Sequence, residues 1–391
     1  MVISSLESAI TFFDETMTRH PQRDHHAAIR AAMRGEHRPY PVIYLNHLAD
    51  PADDTTAPAE FELPEVGTPE TPKGRLAREI IAMLEPLDLL NPVDAAFDLG
   101  ESPGTLVTCF GIPLNPQALN SPAYTIDLDE ALRRSTSNAV ASGLVPKMLE
   151  RIDLIKAHVP PSFKIKMPDV QGPFNLAHAV LGQDAFIAPC DDRRRFADFM
   201  TRVTDVWLSV YAALRQRIGP DYLHPQWTAP RISECSVNLV SPEFYIEHVL
   251  PHDERIAQTY APLHIHPCSG PHVFKLTFEH LPVCVTEAGH IARTAAGAVT
   301  VDEAMELIGT RPVTLRIGEE PPEGDEERTI RGHLDLYERH RRLLFAYTGM
   351  HWRRADRPGI RRMHRRLDSY WAQKYGAAKT SRQCEPARRG R

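Results

Sequence analysis

Residues 263–268 read Leu-His-Ile-His-Pro-Cys, a short run of β-forming positions that ends in a proline and a cysteine. Alternate residues of a strand point to the same face of a sheet. A strand over Leu263–His266 therefore places His264 and His266 on one side, with Cys268 just beyond the strand end. We take this segment as the centre of both the fold and the chemistry.

Short apolar runs of the same kind alternate with longer amphipathic helical patterns along most of the chain, which is typical of a parallel sheet covered by helices. A chain of 391 residues is long, but barrels of this size form one domain. Eight such runs favour a closed α/β fold, the (β/α)8 TIM barrel. The expected strands are Val42–Leu45, Ala95–Leu99, Phe163–Met167, Arg231–Cys235, Leu263–His266, Val283–Thr286, Val313–Ile317 and Leu343–Tyr347.

Some of the intervening helices are well marked. Ser241-Pro242 predicts the N-cap and first turn of a helix, which Pro251 must bend or end. Thr300 and Gly309 bound a short helix over residues 301–308. An apolar stripe with helical spacing predicts a longer helix after the third strand, through Phe196, Phe199, Val203, Val206, Val210 and Leu214.

The chain divides into three parts on these patterns. Residues 1–40 predict an N-terminal helical extension packed on the barrel, residues 41–378 the barrel itself, and residues 379–391 a disordered basic tail. Residues 49–74 are rich in Pro, Thr, Asp and Glu, so they are either a surface excursion or a loop over the site.

Composition excludes several classes of protein. Lys and Arg number 45 against 51 Asp and Glu, a net charge of -6, and no basic stripe with interleaved aromatics occurs, so nucleic acid is not an expected partner. Neither a leader pattern at the N-terminus nor an apolar run of about 18 residues is found. We expect a cytoplasmic protein without membrane contact. Its 6 scattered cysteines predict reduced thiols, some of them available as ligands.

The predicted strand ends are rich in polar side chains. In a parallel barrel, reacting groups lie at the carboxyl ends of the strands, because the loops there converge on one bowl. This rule selects Asn46, Asp169, Gln171, Glu234, Cys235, His266, Cys268, Glu287, Arg316 and His351 as candidate site residues.

The cluster His264, His266 and Cys268 indicates a metal, because a thiolate together with imidazole suits zinc. Packed or hydrogen-bonded side chains are the alternative interpretation of His and Cys at a strand end. A catalytic zinc needs three protein ligands and an open position. The further ligand would come from a neighbouring strand end, namely Glu234, Cys235, Glu287 or His351.

Two further strand ends suggest contacts with substrate. Asp169 and Gln171 either orient a polar substrate or start a turn at Gly172-Pro173. Arg316 either holds a substrate carboxylate with its planar fork of donors or forms a surface ion pair. We assign catalysis to Asp169, Glu234 and Glu287, and substrate binding to Asn46, Gln171 and Arg316.

Several segments, taken in order, resemble the uroporphyrinogen decarboxylase superfamily over nearly the whole chain. That superfamily has a (β/α)8 barrel and includes the decarboxylases of haem synthesis and zinc-dependent corrinoid methyltransferases. The similar segments are Ala28–Gly35, Asp98–Gly111, Asp169-Val170-Gln171-Gly172-Pro173, Leu239–Tyr245 with Val249-Leu250-Pro251, and His266-Pro267-Cys268-Ser269-Gly270.

The resemblance implies a zinc-dependent methyltransferase that moves a methyl group from a methylcorrinoid to a thiol. Such members bind zinc through His-x-Cys and a later Cys, and the metal holds the thiol as a thiolate. His266 and Cys268 match the first two ligands. Where a Gly-Cys pair is expected, this chain has Gly349-Met350, and methionine is a poor zinc ligand. The third ligand is therefore left to His351, Cys235 or the carboxylates named above.

Decarboxylase members have Met-Arg-Gln-Ala-Gly-Arg after the first strand, because their substrate carries many carboxylates. This chain has Leu-Asn-His-Leu-Ala-Asp-Pro at 45–51 instead. A decarboxylase of a porphyrinogen remains the alternative function, and a barrel that has lost part of its metal site is the other. The partners implied are a small-molecule substrate and a corrinoid-binding protein; dimers occur in that family, which allows a homodimer.

Overall fold

The computed structural model describes residues 2–27, 30, 61–90, 92–100, 103–118, 121–134, 136–266, 271–287, 301–309, 314–317, 339, 344–345, 361–362, 364–366, 369 and 373. The predicted first strand, Val42–Leu45, and the predicted tail at 379–391 lie outside the described residues. So do three candidate site residues, Asn46, Cys268 and His351. For Glu287 and Arg316 the description covers the backbone alone.

Every pairing between strands in the described part of the chain is parallel. Two small sheets pair β1 with β2 and β3 with β4, and a five-stranded sheet joins β5 to β9 in chain order. The strands are β1 Val2–Ile3, β2 Glu65–Val66, β3 Ala96–Phe97, β4 Lys164–Ile165, β5 Arg231–Ser233, β6 Leu263–His266, β7 Val283–Glu287, β8 Thr314–Ile317 and β9 Leu344–Phe345.

Strands β3 to β9 occupy the positions that the apolar runs predict, from Ala95–Leu99 onward. Several predicted boundaries differ by one or two residues, and that of β5 matters most for the site: β5 ends at Ser233, and Glu234 and Cys235 leave the strand. Glu234 has φ -109° and ψ 55°, so the chain turns there into a 3-10 helix over Cys235–Leu239. The cause is tertiary, because the Glu234 side chain is drawn to a neighbouring helix, as described below.

The helices have clear sequence origins. The helix predicted by the apolar stripe extends over Arg193–Ile218, and all six stripe residues are buried. The helix Val301–Ile308 ends at Gly309, whose φ of +57° favours glycine. The remaining helices of the described ranges are Leu6–Arg19, Pro72–Ala82, Leu128–Arg133, Val145–His158, Pro173–Leu181, Asp184–Asp191, Leu250–Tyr260 and Pro271–His280.

The segment between β5 and β6 is helical with an interruption. The side chain of Ser241 accepts a hydrogen bond from Phe244 N at 3.2 Å, which caps the turn Pro242–Phe244 as predicted. A π-helical turn over Tyr245–Val249 follows, and a new helix begins at Leu250 with Pro251 in its first turn. Proline has no N–H to give to a preceding turn, so Pro251 begins a helix more readily than it continues one.

The first helix and the described residues around position 361 both contact segments that are distant in sequence. Phe13, on the helix Leu6–Arg19, packs its ring 4.7 Å from that of Phe163, which precedes β4. Near the other end, Arg361 Nε donates to Asp88 O at 2.6 Å while Nη2 contacts Asp88 Oδ1, and both side chains are buried. His364 Nδ1 donates to Leu90 O at 3.0 Å.

A search of the described helices finds none with the length and apolarity needed to cross a bilayer.

Candidate functional site

The segment Asp169–Pro173 forms a tightly bonded turn beyond β4. Gln171 N donates to Asp169 Oδ1 at 2.9 Å, and Ser233 Oγ donates to Asp169 Oδ2 at 3.1 Å. Arg231 Nη1 lies 3.3 Å from the same carboxylate oxygen. Asp169 therefore does start a turn, one of the two expected roles, and the turn is fixed to the carboxyl end of β5. Its catalytic role stays a prediction.

Glu234 binds the N-terminus of the helix Pro173–Leu181. Its Oε1 accepts from Phe174 N and its Oε2 from Asn175 N, both at 2.9 Å. The N-cap residue of this helix is Gly172, which has no side chain to offer, so the carboxylate of Glu234, the residue after β5, takes that place. Both oxygens of Glu234 are thus engaged by backbone donors, which leaves Glu234 a weaker candidate for a metal ligand than Cys235.

A second buried carboxyl group accompanies Glu234. The carboxyl group of Asp253 is buried close enough to Glu234 for their charges to interact, and Tyr245 Oη donates to Asp253 Oδ2 at 3.2 Å. Burial raises the pKa of Glu234 well above its ordinary value, and the charge of Asp253 raises it further. Burial also raises the pKa of Asp253, to about 7. Burial and the proximity of the second carboxyl group both favour the protonated form of Glu234.

A chain of amide hydrogen bonds joins this region to Gln171. Ser236 N donates to Asn175 Oδ1 at 2.6 Å, and Asn175 Nδ2 donates to Gln171 Oε1 at 2.5 Å. Trp207 Nε1 donates to Gln171 O at 2.9 Å. Gln171 is half-buried and has φ +64°, in the left-handed region that non-glycine residues rarely adopt. The structure thus holds Gln171 firmly at the carboxyl end of the strands.

His266 ends β6 at the same edge of the sheet. It pairs in register with Ser233, the last residue of β5, and it is half-buried. His264, two residues earlier on the same face, is fully buried, with its ring 6.2 Å from that of Trp227. Burial therefore assigns His264 to the interior and His266 to the strand end. Cys235 is half-buried one residue past Glu234.

A buried polar cluster that the sequence did not predict surrounds Asp94. Asp94 precedes β3, and its Oδ1 accepts hydrogen bonds from His26 Nε2 at 2.9 Å and His224 Nε2 at 3.0 Å. Lys166 Nζ lies 2.8 Å from Asp94 Oδ2. Among the described residues, one group of three metal-binding side chains has its ligand atoms within 4.8 Å of each other, namely His25, Asp94 and His224.

The protons of this cluster argue against a metal. Gln226 N donates to His224 Nδ1 at 3.1 Å, so Nδ1 is unprotonated and Nε2 carries the proton that Asp94 accepts. Burial opposes ionisation of Asp94, but Lys166 and His224 hold its pKa well below the ordinary value. Burial lowers the pKa of His25 to about 3. A carboxylate, an ammonium and neutral imidazoles are together electrically balanced, so we interpret the cluster as a buried ion-pair network.

Comparison with known proteins gives one informative result. No protein-family model matches the chain, and no curated protein matches it. Among solved structures, a methyltransferase from Methanosarcina mazei is similar, with a TM-score of 0.59 and 16% sequence identity. The match covers 88% of this chain and 97% of that chain, so it includes nearly the whole of the methyltransferase. At this identity the similarity concerns the fold, and the chain therefore shares the fold of that methyltransferase.

Proposed function

We propose that this chain is a methyltransferase-like enzyme on a (β/α)8 barrel, with its active site at the carboxyl ends of the strands. The single observation that carries the proposal is the fold shared with a methyltransferase over 88% of this chain. The sequential, all-parallel order of β5 to β9 supports a barrel, because right-handed helical crossovers produce that order. The polar residues at the ends of β5 and β6 support the location.

In this proposal the methyl group passes from a methylcorrinoid, carried by a separate protein, to the sulfur of an acceptor thiol. His266 and Cys268 would hold zinc, with Cys235, Glu287 or His351 as the third ligand. When bound, zinc would lower the pKa of the thiol and favour the thiolate. His266 is half-buried at the end of β6, and this position fits such a role because the imidazole lies at the carboxyl edge of the sheet.

The polar side chains around this location are held in place by hydrogen bonds. Asp169 is held by Ser233 and Arg231, so its carboxylate is oriented in advance of substrate binding. Glu234, next in sequence to Ser233, is held by the backbone N–H groups of Phe174 and Asn175. Both features favour a preorganised site, in which polar groups do not need to rearrange during reaction.

Metal analysis of the purified protein tests the proposal. We expect about one zinc per chain in the wild type, and less than about a tenth of that in His266→Ala and Cys268→Ser. Cys190→Ser is the matched control, since Cys190 is exposed on the helix Asp184–Asp191 and should not change the zinc content. A wild type with less than about a tenth of a zinc per chain contradicts the zinc mechanism.

Activity separates the proposal from its alternative. We expect the zinc-loaded protein to demethylate methylcobalamin in the presence of a small thiol, followed by the change in corrinoid absorbance. Release of carbon dioxide from uroporphyrinogen, without corrinoid demethylation, would favour the decarboxylase instead.

A further inference from the structure

Two successive hydrogen bonds, which begin at a backbone N–H, determine the orientation of the Gln171 side-chain amide. Ser236 N is a backbone N–H and can only donate, so the atom of Asn175 that it contacts at 2.6 Å must be the oxygen, Oδ1. The other end of the Asn175 amide, Nδ2, is therefore a donor. The oxygen and nitrogen of the Asn175 amide are thus assigned by the backbone N–H of Ser236.

The Asn175 amide in turn determines the orientation of the Gln171 amide. Asn175 Nδ2 donates, so the atom of Gln171 that it meets must be Oε1. Gln171 Nε2, with two N–H groups, then faces away from Asn175. Within the part of the chain that the structure describes, no hydrogen-bond acceptor is found for Nε2, and the residue is half-buried, so the two donors are available to a ligand.

The backbone holds this donor in a conformation that glycine would adopt more easily. Gln171 has φ +64°, and non-glycine residues in that region are concentrated at functional sites. Its N–H is bound by Asp169 Oδ1 and its carbonyl oxygen by Trp207 Nε1, both at 2.9 Å. A turn of this shape needs no glutamine, so the side chain has a purpose other than forming the turn.

The donor lies on the same edge of the strands as His266. Gly172 N donates to Ser233 O at 2.8 Å, and Ser233 pairs in register with His266. Neighbouring strands are about 4.8 Å apart, so the backbones at positions 172 and 266 are roughly 10 Å apart.

We propose that Gln171 Nε2 binds an acceptor oxygen of the substrate, a carboxylate or carbonyl oxygen, and that Asn175 and Ser236 are positioning residues that fix the direction of the amide. The inference rests on the proposed function for the location of the reacting atom, since it assumes chemistry near His266. It adds a specificity determinant: the substrate carries an oxygen acceptor several ångströms from the atom that reacts.

Propionate is a suitable probe, because it carries a carboxylate on a short apolar chain. Its dissociation constant can be measured on the full-length protein by saturation-transfer NMR. We expect Gln171→Glu to weaken propionate binding at least about tenfold, since it replaces a donor with a carboxylate. Gln171→Gly should have the same effect while it relieves the left-handed backbone, which excludes misfolding as the cause.

Gln183→Glu is the matched control, because Gln183 is exposed and the change in charge is identical. Its propionate affinity should stay within about twofold of the wild type. Propionate that binds equally to the wild type and Gln171→Glu, or that does not bind to the wild type, would overturn the inference.

The positioning role of Asn175 has its own test. In Asn175→Asp, position 175 still accepts from Ser236 N but cannot donate, so the Gln171 amide should rotate and present Oε1 instead of Nε2. We expect propionate affinity to fall about as far as in Gln171→Glu, although residue 171 is unchanged. Asn175→Ala, which adds no charge, should cause a smaller loss. Wild-type affinity in both variants contradicts the positioning role.

Comparison of two acceptor thiols separates this inference from the proposed function. We expect 3-mercaptopropionate to be a better methyl acceptor than 1-propanethiol in the wild type, and Gln171→Gly to remove that preference. Propionate binding through Gln171 without any methyl transfer would contradict the proposed function alone. Transfer to both thiols with no dependence on Gln171 would contradict this inference alone.

Discussion

Gly172 and Glu234 approach so closely that a Cβ at position 172 would lie 2.3 Å from Cδ of Glu234. Real Cβ atoms do not reach that distance, so the carboxylate and an alanine side chain cannot both keep their places. Glycine is needed here for the close approach and not for its backbone conformation. The contact brings the end of β5 onto the N-terminus of the helix Pro173–Leu181.

Gly172→Ala should therefore lower the free energy of unfolding. Displacement of Glu234 breaks two hydrogen bonds to backbone N–H groups, and we expect a loss of about 2–4 kcal/mol. Urea unfolding followed by circular dichroism measures it. Gly67→Ala is the control, because its Cβ would lie 3.1 Å from the exposed Val2 side chain, which can move. Equal stability of Gly172→Ala and the wild type would contradict this account of the contact.

Lys166→Met should destabilise the protein through Asp94. Without the ammonium 2.8 Å away, Asp94 keeps a buried carboxylate whose charge is no longer balanced. Removal of one partner of a buried ion pair costs roughly 3–5 kcal/mol. The double variant Lys166→Met with Asp94→Asn should recover part of the loss, because the remaining group is neutral. Lys147→Met, at an exposed position, is the control. A double variant less stable than the single one would argue against charge balance as the cause.

Metal content should depend on the strand-end residues and not on the cluster around Asp94. We expect His224→Gln to leave the zinc content of the protein unchanged, because His224 Nε2 carries a proton and Lys166 supplies the positive charge. His266→Ala should remove the zinc. Both variants can be purified and analysed in parallel. Zinc loss in His224→Gln alone would show that the cluster is a metal site after all.

The stability of the protein should fall as the pH is lowered from about 6.5 to about 4, in part because of His252. Burial, aided by the charge of Arg255, lowers the pKa of His252 to about 4. The unfolded chain takes up a proton on this histidine below about pH 6.5, while the folded chain does not, so acid favours unfolding. Full protonation of the unfolded state costs about 3 kcal/mol of stability.

The variant His252→Gln should show a shallower decline over that range. Thermal or urea unfolding at a series of pH values measures the slope. His280→Gln, at an exposed position on the helix Pro271–His280, provides the baseline. An unchanged slope in His252→Gln would contradict the assignment.

Local patterns were enough to place strands β3 to β9 and the longest helix, but they did not predict β1 and β2. The strands β3 to β9 and the helix Arg193–Ile218 follow short apolar runs and a stripe, both of which depend on neighbouring residues. The boundary at Ser233 could not be read in this way. Glu234 leaves the strand because Phe174 and Asn175 attract its carboxylate, and they lie 60 and 59 residues away in sequence.

The candidate site was predictable only where it follows strand ends. His266, Asp169 and Gln171 were selected by that rule, and the structure brings Asp169 and Gln171 onto β5. The cluster around Asp94 carries no such signal, since His26 and His224 lie 68 and 130 residues from Asp94. Adjacent histidines at 25–26 are the one local feature that could have drawn attention to it. Asp253 was missed because it lies on the helix Leu250–Tyr260, away in sequence from the strand end that it approaches in space.

The pair of Asp88 and Arg361 has a consequence for synthesis. The two residues are 273 positions apart, and ribosomes add about 5–20 residues per second, so roughly 14–55 s separate their appearance. During that interval the Asp88 carboxylate exists without the guanidinium that pairs with it in the folded protein. The contact can close only after residue 361 has been made, and a ribosome stalled before codon 361 would hold a chain that cannot form it.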